Sequence, residues 1–214
     1  MSFISLCAVL ILSGELKRGS SGPSNFPQRF HHHKAYEEHA YVLDHLPYGR
    51  GTNDRRVGFM SPVVQLIGDR RFTLLEAQLK PRVSASPQEK LYIGREARDK
   101  VLRVVGRIGF NDLTAAARSE LEPVLVKIVK EQENKLLDFF NRSSAVTPRM
   151  HALELLPGIG KKSMWQIIGE REKRPFISFK DLKERVGLID PSKIIAKRIL
   201  DELSAESKYR LFTR

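Results

Sequence analysis

Leu153-Glu154-Leu155-Leu156-Pro157-Gly158-Ile159-Gly160-Lys161-Lys162 is the stretch that decides the reading of this chain. Apolar residues lead into Pro-Gly-Ile-Gly, and two lysines open a new helical pattern. Glycine tolerates φ > 0 and leaves backbone N–H groups uncovered. At a helix start those N–H groups lack intrahelical acceptors, and the positive end of the helix dipole adds to their pull on an anion. The stretch therefore reads as a turn between helices over 148–156 and 161–169, with Ile159 facing inward. Trp165, Ile167 and Ile168 extend the expected core behind it. Gly158, Ile159, Gly160, Lys161 and Lys162 form a predicted phosphate site.

The plan recurs downstream. Leu182 matches Leu153 and Gly187 matches Gly158, 29 residues on in both cases. The second turn departs from the first: Ile189 stands in place of Gly160, and about two residues are inserted before Asp190-Pro191 begins the next helix. Asp before Pro is a good cap. Ser192, Lys193 and Lys197, with Gly187, are the residues of this second turn that could face a phosphate.

Upstream, Thr147-Pro148 reads as a cap and first helical residue. Residues 111–146 form a helical spacer: Asn111-Asp112-Leu113-Thr114 offers a cap, and Pro123 is expected to open a further helix. Leu125, Ile128, Val129, Leu136, Leu137, Phe139 and Phe140 mark its buried face. The spacing of Val101, Leu102, Val104, Val105 and Ile108 predicts a helix as well, closing the unit before it.

From Tyr36 to about Gly94 the period is that of strands: His39–Leu46, Val63–Ile67, Phe72–Leu79 and Leu91–Ile93. Gly68-Asp69-Arg70-Arg71 is a hairpin signal. A long basic loop, Pro47 to Arg56, joins the first two strands. Short strands with a long first loop and a closing helix outline a small OB-fold-like barrel over 36–110. In that loop Tyr48 suits base stacking and Arg50, Arg55 and Arg56 suit phosphates, with Arg70 and Arg71 adding to the same groove. Residues 1–35 read as a poorly ordered extension and Gly/Ser/Pro linker. The fold class is α+β: barrel, helical spacer, and an all-α unit over 147–214.

Charge supports a polyanionic partner. The chain of 214 residues carries 37 basic and 25 acidic residues, a net +12. Residues 111–149 are neutral, while 37–110 carry +4 and 150–214 carry +5, so a neutral spacer separates two basic modules. The one cysteine, Cys7, excludes a disulfide within the chain and a cysteine-built zinc site, and fits a reducing cytoplasm. The apolar run Phe3–Leu12 is too short to span a bilayer and lacks the basic flank of a signal peptide. No membrane attachment is expected.

The LPGIG turn and its repeat resemble the helix-hairpin-helix family. That resemblance implies binding to nucleic-acid backbones without sequence preference, with a monovalent cation at the Gly158–Gly160 turn and no other cofactor. The chain also resembles an uncharacterised archaeal family (domain of unknown function six-five-five) through YVLDHLPYGR (41–50), FTLLEAQLK (72–80), FFNRSS (139–144) and HALELLPGIGKK (151–162). This likeness covers about 36–214. It implies an OB-type barrel followed by tandem hairpins, with RNA or DNA binding and no assigned activity.

Enzymatic readings fare worse. A P-loop would put Leu155 where its first glycine belongs and Lys162 where Ser or Thr belongs. Asp181 lies 21 residues after Gly160, as the aspartate of a hairpin glycosylase would. Ser178 more simply caps the helix there, and no large helical domain is available to hold a flipped base. Asp44, Asp54 and Asp69 are nuclease candidates only if folding gathers them. His31, His32 and His33 suit loose surface chelation rather than a closed metal site. The expected function is non-enzymatic nucleic-acid binding, RNA before DNA. The alternative is protein docking within the translation or repair machinery.

Overall fold

Strand positions follow from apolar residues that must be buried on two faces at once. The computed structural model describes residues 37–49, 62–188, 190–205 and 207–213. The extension 1–35 with Cys7 and His31–His33 lies outside them, as do Arg50, Asp54, Arg55, Arg56 and Ile189. A five-stranded antiparallel sheet comprises β1 (His39–Leu46), β2 (Val63–Gly68), β3 (Leu74–Leu79), β4 (Lys90–Tyr92) and β5 (Val101–Arg107), in the order β4-β1-β2-β3-β5. Every residue of β2 and β3 is buried. On one face Ala40, Val42, Val64, Leu66, Leu75, Ala77, Leu79, Leu91 and Val101 fill the hollow of the curled sheet. On the other, Tyr41, Leu43, Ile67 and Leu74 meet the helices. Register shifts in β1 between Val42 and Asp44, and twice along the β3–β5 pair, supply the curl.

The sheet stays open. β4 and β5 run the same way along opposite edges, so closure would need a parallel pair joined by residues 93–100 alone, a connection too short for a usual parallel crossover. β5 also corrects the closing helix expected over 101–108. Val101, Val104 and Val105 are β-branched, and the open edge of β3 gives that stretch a partner.

Five helices follow: α1 (Ala115–Glu131), α2 (Glu133–Arg142), α3 (Lys161–Lys173), α4 (Phe179–Val186) and α5 (Pro191–Ser204). Thr114 caps α1, its hydroxyl accepting from the Ala117 N–H and donating to Asp44 at 2.6 Å. Pro123 does not start a helix; it sits inside α1. Ala117, Leu121, Val124, Leu125, Ile128 and Val129 form one buried stripe against β1 and α5. That burial outweighs the cost of an interior proline, about 3 kcal/mol.

The helix expected over 148–156 is a short ladder of β6 (Ala145–Thr147) and β7 (Met150–His151), then a 3-10 turn at Ala152–Leu155. Here the His151 imidazole caps: its Nδ1 accepts from the Leu153 N–H at 3.1 Å, and Glu154 accepts from the His151 N–H at 2.8 Å. One apolar core runs from β1 through α1 and α2 to Leu153, Leu156, Ile159, Leu182, Ile195 and Ile199. Sheet and helices therefore share a core within one compact unit.

Candidate functional site

The turn at 156–160 is built as its sequence dictates. The Ile159 N–H donates to the Leu156 carbonyl at 3.1 Å, with Pro157 in the second position and Gly158 at φ +82° in the third. That is the residue pattern of a type II turn, which asks for proline and then a residue tolerant of positive φ. Ile159 is 4% exposed and anchors the turn in the core. Gly160 differs from the expectation of a left-handed glycine: it is extended, at φ −88° and ψ 179°.

Gly160 is the N-cap of α3, and no side chain caps that helix. Its carbonyl accepts from the Met164 N–H at 2.9 Å, leaving the amides of Lys161, Lys162 and Ser163 as the helix's unclaimed donors. Lys161 and Lys162 are exposed. A Cβ on Gly160 would meet nothing within 4 Å. Neither backbone conformation nor packing requires glycine here; glycine leaves room for something to approach the backbone.

The second turn has the same skeleton and the opposite chemistry. Gly187 is left-handed at φ +72°, Leu182 is fully buried like Leu153, and Leu188 occupies the place of Ile159. The insertion before α5 is one residue rather than two, since the N-cap is Asp190. The Asp190 carboxylate accepts from the Ser192 N–H at 3.0 Å, the Lys193 N–H at 3.4 Å and the Ser192 hydroxyl at 2.6 Å. Burial pushes the Asp190 carboxyl up, but the Ser192 hydroxyl, the two amides and nearby Lys130 together hold it below its ordinary range. An internal carboxylate thus occupies the position an external phosphate would take. Ser192 is 3% exposed and drops out as a contact, while Gly187 is exposed at the turn and Lys193 and Lys197 face solvent one turn apart on α5.

Tyr48 does not share a groove with Arg70 and Arg71. Tyr48 stands 80% exposed at the tip of a turn closed by the Gly49 N–H on the Leu46 carbonyl. Arg70 and Arg71 sit at the other end of the β1–β2 pair, since Leu46 pairs with Val63 and Ala40 with Gly68. Their amides, with that of Thr73, donate to the Glu37 carboxylate at 3.0–3.3 Å, and the Arg70 guanidinium pairs with Glu38 at 3.5 Å.

Of the nuclease and glycosylase candidates, Asp54 lies outside the described residues and the other three each hold a partner. Asp44 holds Thr114, Asp69 holds Lys90 at 3.1 Å, and Asp181 accepts from the Ile177 N–H and pairs with Arg174 and Arg185. Among the described residues no three His, Cys, Asp or Glu side chains converge on a metal position. No described helix is long and apolar enough to cross a membrane.

Trp165 is the residue sequence reasoning misplaced. It is not core but 65% exposed on α3. Met164 and Ile167 take the buried positions, which turns Trp165 outward beside Lys161 and Lys162. An open hollow of about 460 Å³ beside the first turn is lined by Glu154, Leu155, Pro157, Gly158, Gly160 and Asp201, among others.

This arrangement defines an α+β protein whose candidate site is a basic, uncapped turn between helical elements. The chain belongs to the family described as Protein of unknown function (DUF655), whose model matches residues 36–214. It is 43% identical over 206 residues to the uncharacterized protein MJ0038 of Methanocaldococcus jannaschii, across 95% of this chain and 92% of that one. It is also similar to the crystal structure of Af1531 from Archaeoglobus fulgidus, of the same family, with a TM-score of 0.77 and 46% identity over 83% of this chain and 100% of that chain.

Proposed function

We propose that this protein binds nucleic acid, RNA in preference to DNA, by gripping a backbone phosphate at the Gly158–Lys162 turn. The observation that carries this reading is the uncapped start of α3, next to two exposed lysines and opposite a sister turn that closes itself with Asp190. Orphan amides, the dipole end and two cations act together on an anion and read no base. The paired turns, with left-handed Gly158 and Gly187, support the helix-hairpin-helix reading. The monovalent cation implied by that family fits the hollow beside the first turn, where Glu154 and Asp201 supply negative lining.

The strand order and curl of the sheet support an OB-like barrel, although β5 pairs antiparallel with β3 and the ring is open. Among its described residues Tyr48, 80% exposed, is the contact offered for a base. The protein is read as non-enzymatic and cytoplasmic.

The test is binding of labelled RNA and DNA by anisotropy across salt. Affinity falls steeply with salt for the native chain, and Lys161→Glu with Lys162→Glu abolishes most of it. Crosslinking in cells with sequencing of the bound nucleic acid decides between RNA and DNA. If the double variant binds as well as the native chain, the turn serves only packing or protein docking.

A further inference from the structure

The reading above leaves Trp165 without a duty. It is the only tryptophan in the chain, it stands 65% exposed, and it buries little of its own apolar surface. At about 100° per residue, Trp165 falls between Lys161 and Lys162 on the helical wheel, one turn further along α3. Same-face residues four apart lie about 6 Å from each other at Cβ. The next position on that face is Gly169, which has no side chain and where a Cβ would meet nothing within 4 Å. Position 165 thus lies on α3 between a pair of exposed lysines one turn before it and a glycine one turn after it, with its ring largely open to solvent.

Tyr48, Leu102, Val146 and Ile177 are exposed as well, and none of them adjoins a pair of lysines at an uncapped helix start.

We propose that Trp165 is the stacking platform for one unpaired base, adjacent to the phosphate held at Gly160–Lys162, and that this pair of contacts makes the α3 face select single-stranded over duplex nucleic acid. The inference rests on the nucleic-acid reading and adds a ligand class to it. Charge complementarity names the occupant: a base carries a flat π-face and arrives attached to a phosphate, which matches an indole beside two lysines. A duplex hides its base faces, so the same ring gains stacking there only if a step is unstacked, at a cost. Base stacking, expected from sequence at Tyr48, then has a second site on α3.

The chain supplies its own reporter, since all tryptophan fluorescence comes from position 165. The full chain is titrated at low salt with a short single-stranded oligouridine and with a duplex of the same length, following anisotropy of the labelled probe and tryptophan emission together. The single strand binds and quenches the emission; the duplex binds more weakly and leaves it nearly unchanged. Trp165→Ala lowers single-strand affinity by roughly 5- to 150-fold with little effect on the duplex, and Trp165→Phe recovers most of the loss. The melting temperature of both variants stays at the native value because the side chain is solvent-facing. Binding without quenching, together with unchanged affinity in Trp165→Ala, overturns the stacking role and leaves phosphate gripping intact. No binding of either probe overturns both readings.

Discussion

Replacing Gly160 with aspartate gives the first turn the cap that the second already has, and it separates folding from binding. At φ −88° and ψ 179° the backbone accepts any L-residue, and the new Cβ meets nothing within 4 Å. The carboxylate can accept from the Lys162 and Ser163 amides, as Asp190 accepts from Ser192 and Lys193. Aspartate is better than glycine at this position by a few tenths of a kcal/mol, and its charge at the dipole end adds about 0.3–1 kcal/mol. The melting temperature therefore rises by about 1–5 °C for a domain of this size. Binding moves the other way. The amides then no longer donate to the phosphate, and hydrogen bonds to such a charged acceptor are worth about 1.5–3 kcal/mol, so Kd rises roughly 10- to 150-fold. The salt slope for a single strand shrinks by about 0.7 per phosphate released. Anisotropy titrations over a salt series and thermal unfolding measure both quantities on one sample. A more stable variant that binds as tightly as the native chain would falsify the assignment of the phosphate to this helix start.

The reciprocal change, Asp190→Gly, uncovers the Ser192 and Lys193 amides beside Lys193 and Lys197; affinity rises and the salt slope steepens, at a stability cost of about 1 kcal/mol or more seen in thermal unfolding, since the cap, the dipole-end charge and the acceptor of the buried Ser192 hydroxyl are lost together. Glu202, whose side chain is fully buried, accepts from Arg198 Nε, from the Leu211, Phe212 and Thr213 amides and from the Thr213 hydroxyl, so Glu202→Ala strands these donors and costs about 3–5 kcal/mol by denaturant unfolding. Gly68→Ala places a Cβ 2.2 Å from the Glu37 carboxyl carbon and displaces the acceptor of three amides, costing roughly 2 kcal/mol or more by the same assay. His151 is held below its ordinary 6.5 by burial and then by the Arg171 charge, against the pull of Glu154. Its neutral form is the folded one, so the unfolded chain takes up the proton first as pH falls below about 6.5; stability is full above that pH, declines beneath it, and the decline vanishes in His151→Asn.

Much of the architecture was readable because it depends on local rules. β1 matches its sequence expectation end to end, since His39–Leu46 alternates between two buried faces. Thr114, Ser178 and Asp190 cap α1, α4 and α5 as their positions before apolar runs imply. The misreadings share one cause, which is tertiary context overriding a weak local signal. Val101–Arg107 has helical spacing, but the free edge of β3 makes it a strand. Pro123 announces a helix start, yet α1 was already held by its stripe against β1 and α5. Thr147-Pro148 is a good cap in isolation, and the pairing of β6 with β7 takes precedence. Hydrophobicity alone puts Trp165 in the core, whereas helical phase counted from the buried Met164 and Ile167 turns it outward. The groove joining Tyr48 to Arg70 failed because register puts the two turns at opposite ends of β1 and β2, a fact that needs strand pairing to be known.

α3 is set apart from its neighbours by what it goes without. In α1, α4 and α5 a side-chain oxygen takes up the first free amides. α2 continues from α1 through Gln132. Only α3, among the described helices of three turns or more that begin afresh, starts on a glycine with no side-chain cap. Serine or aspartate at position 160 would fit without strain and would stabilise the helix by up to about 1 kcal/mol. The sister turn shows the same skeleton accepting that solution at Asp190. Packing therefore cannot account for Gly160, because packing is served equally well by either residue. An anion that arrives from outside can account for it, since an internal carboxylate at that point would compete with it. The twin turns thus act as an internal control, one closed by its own acid and the other left open where two lysines and an exposed indole gather.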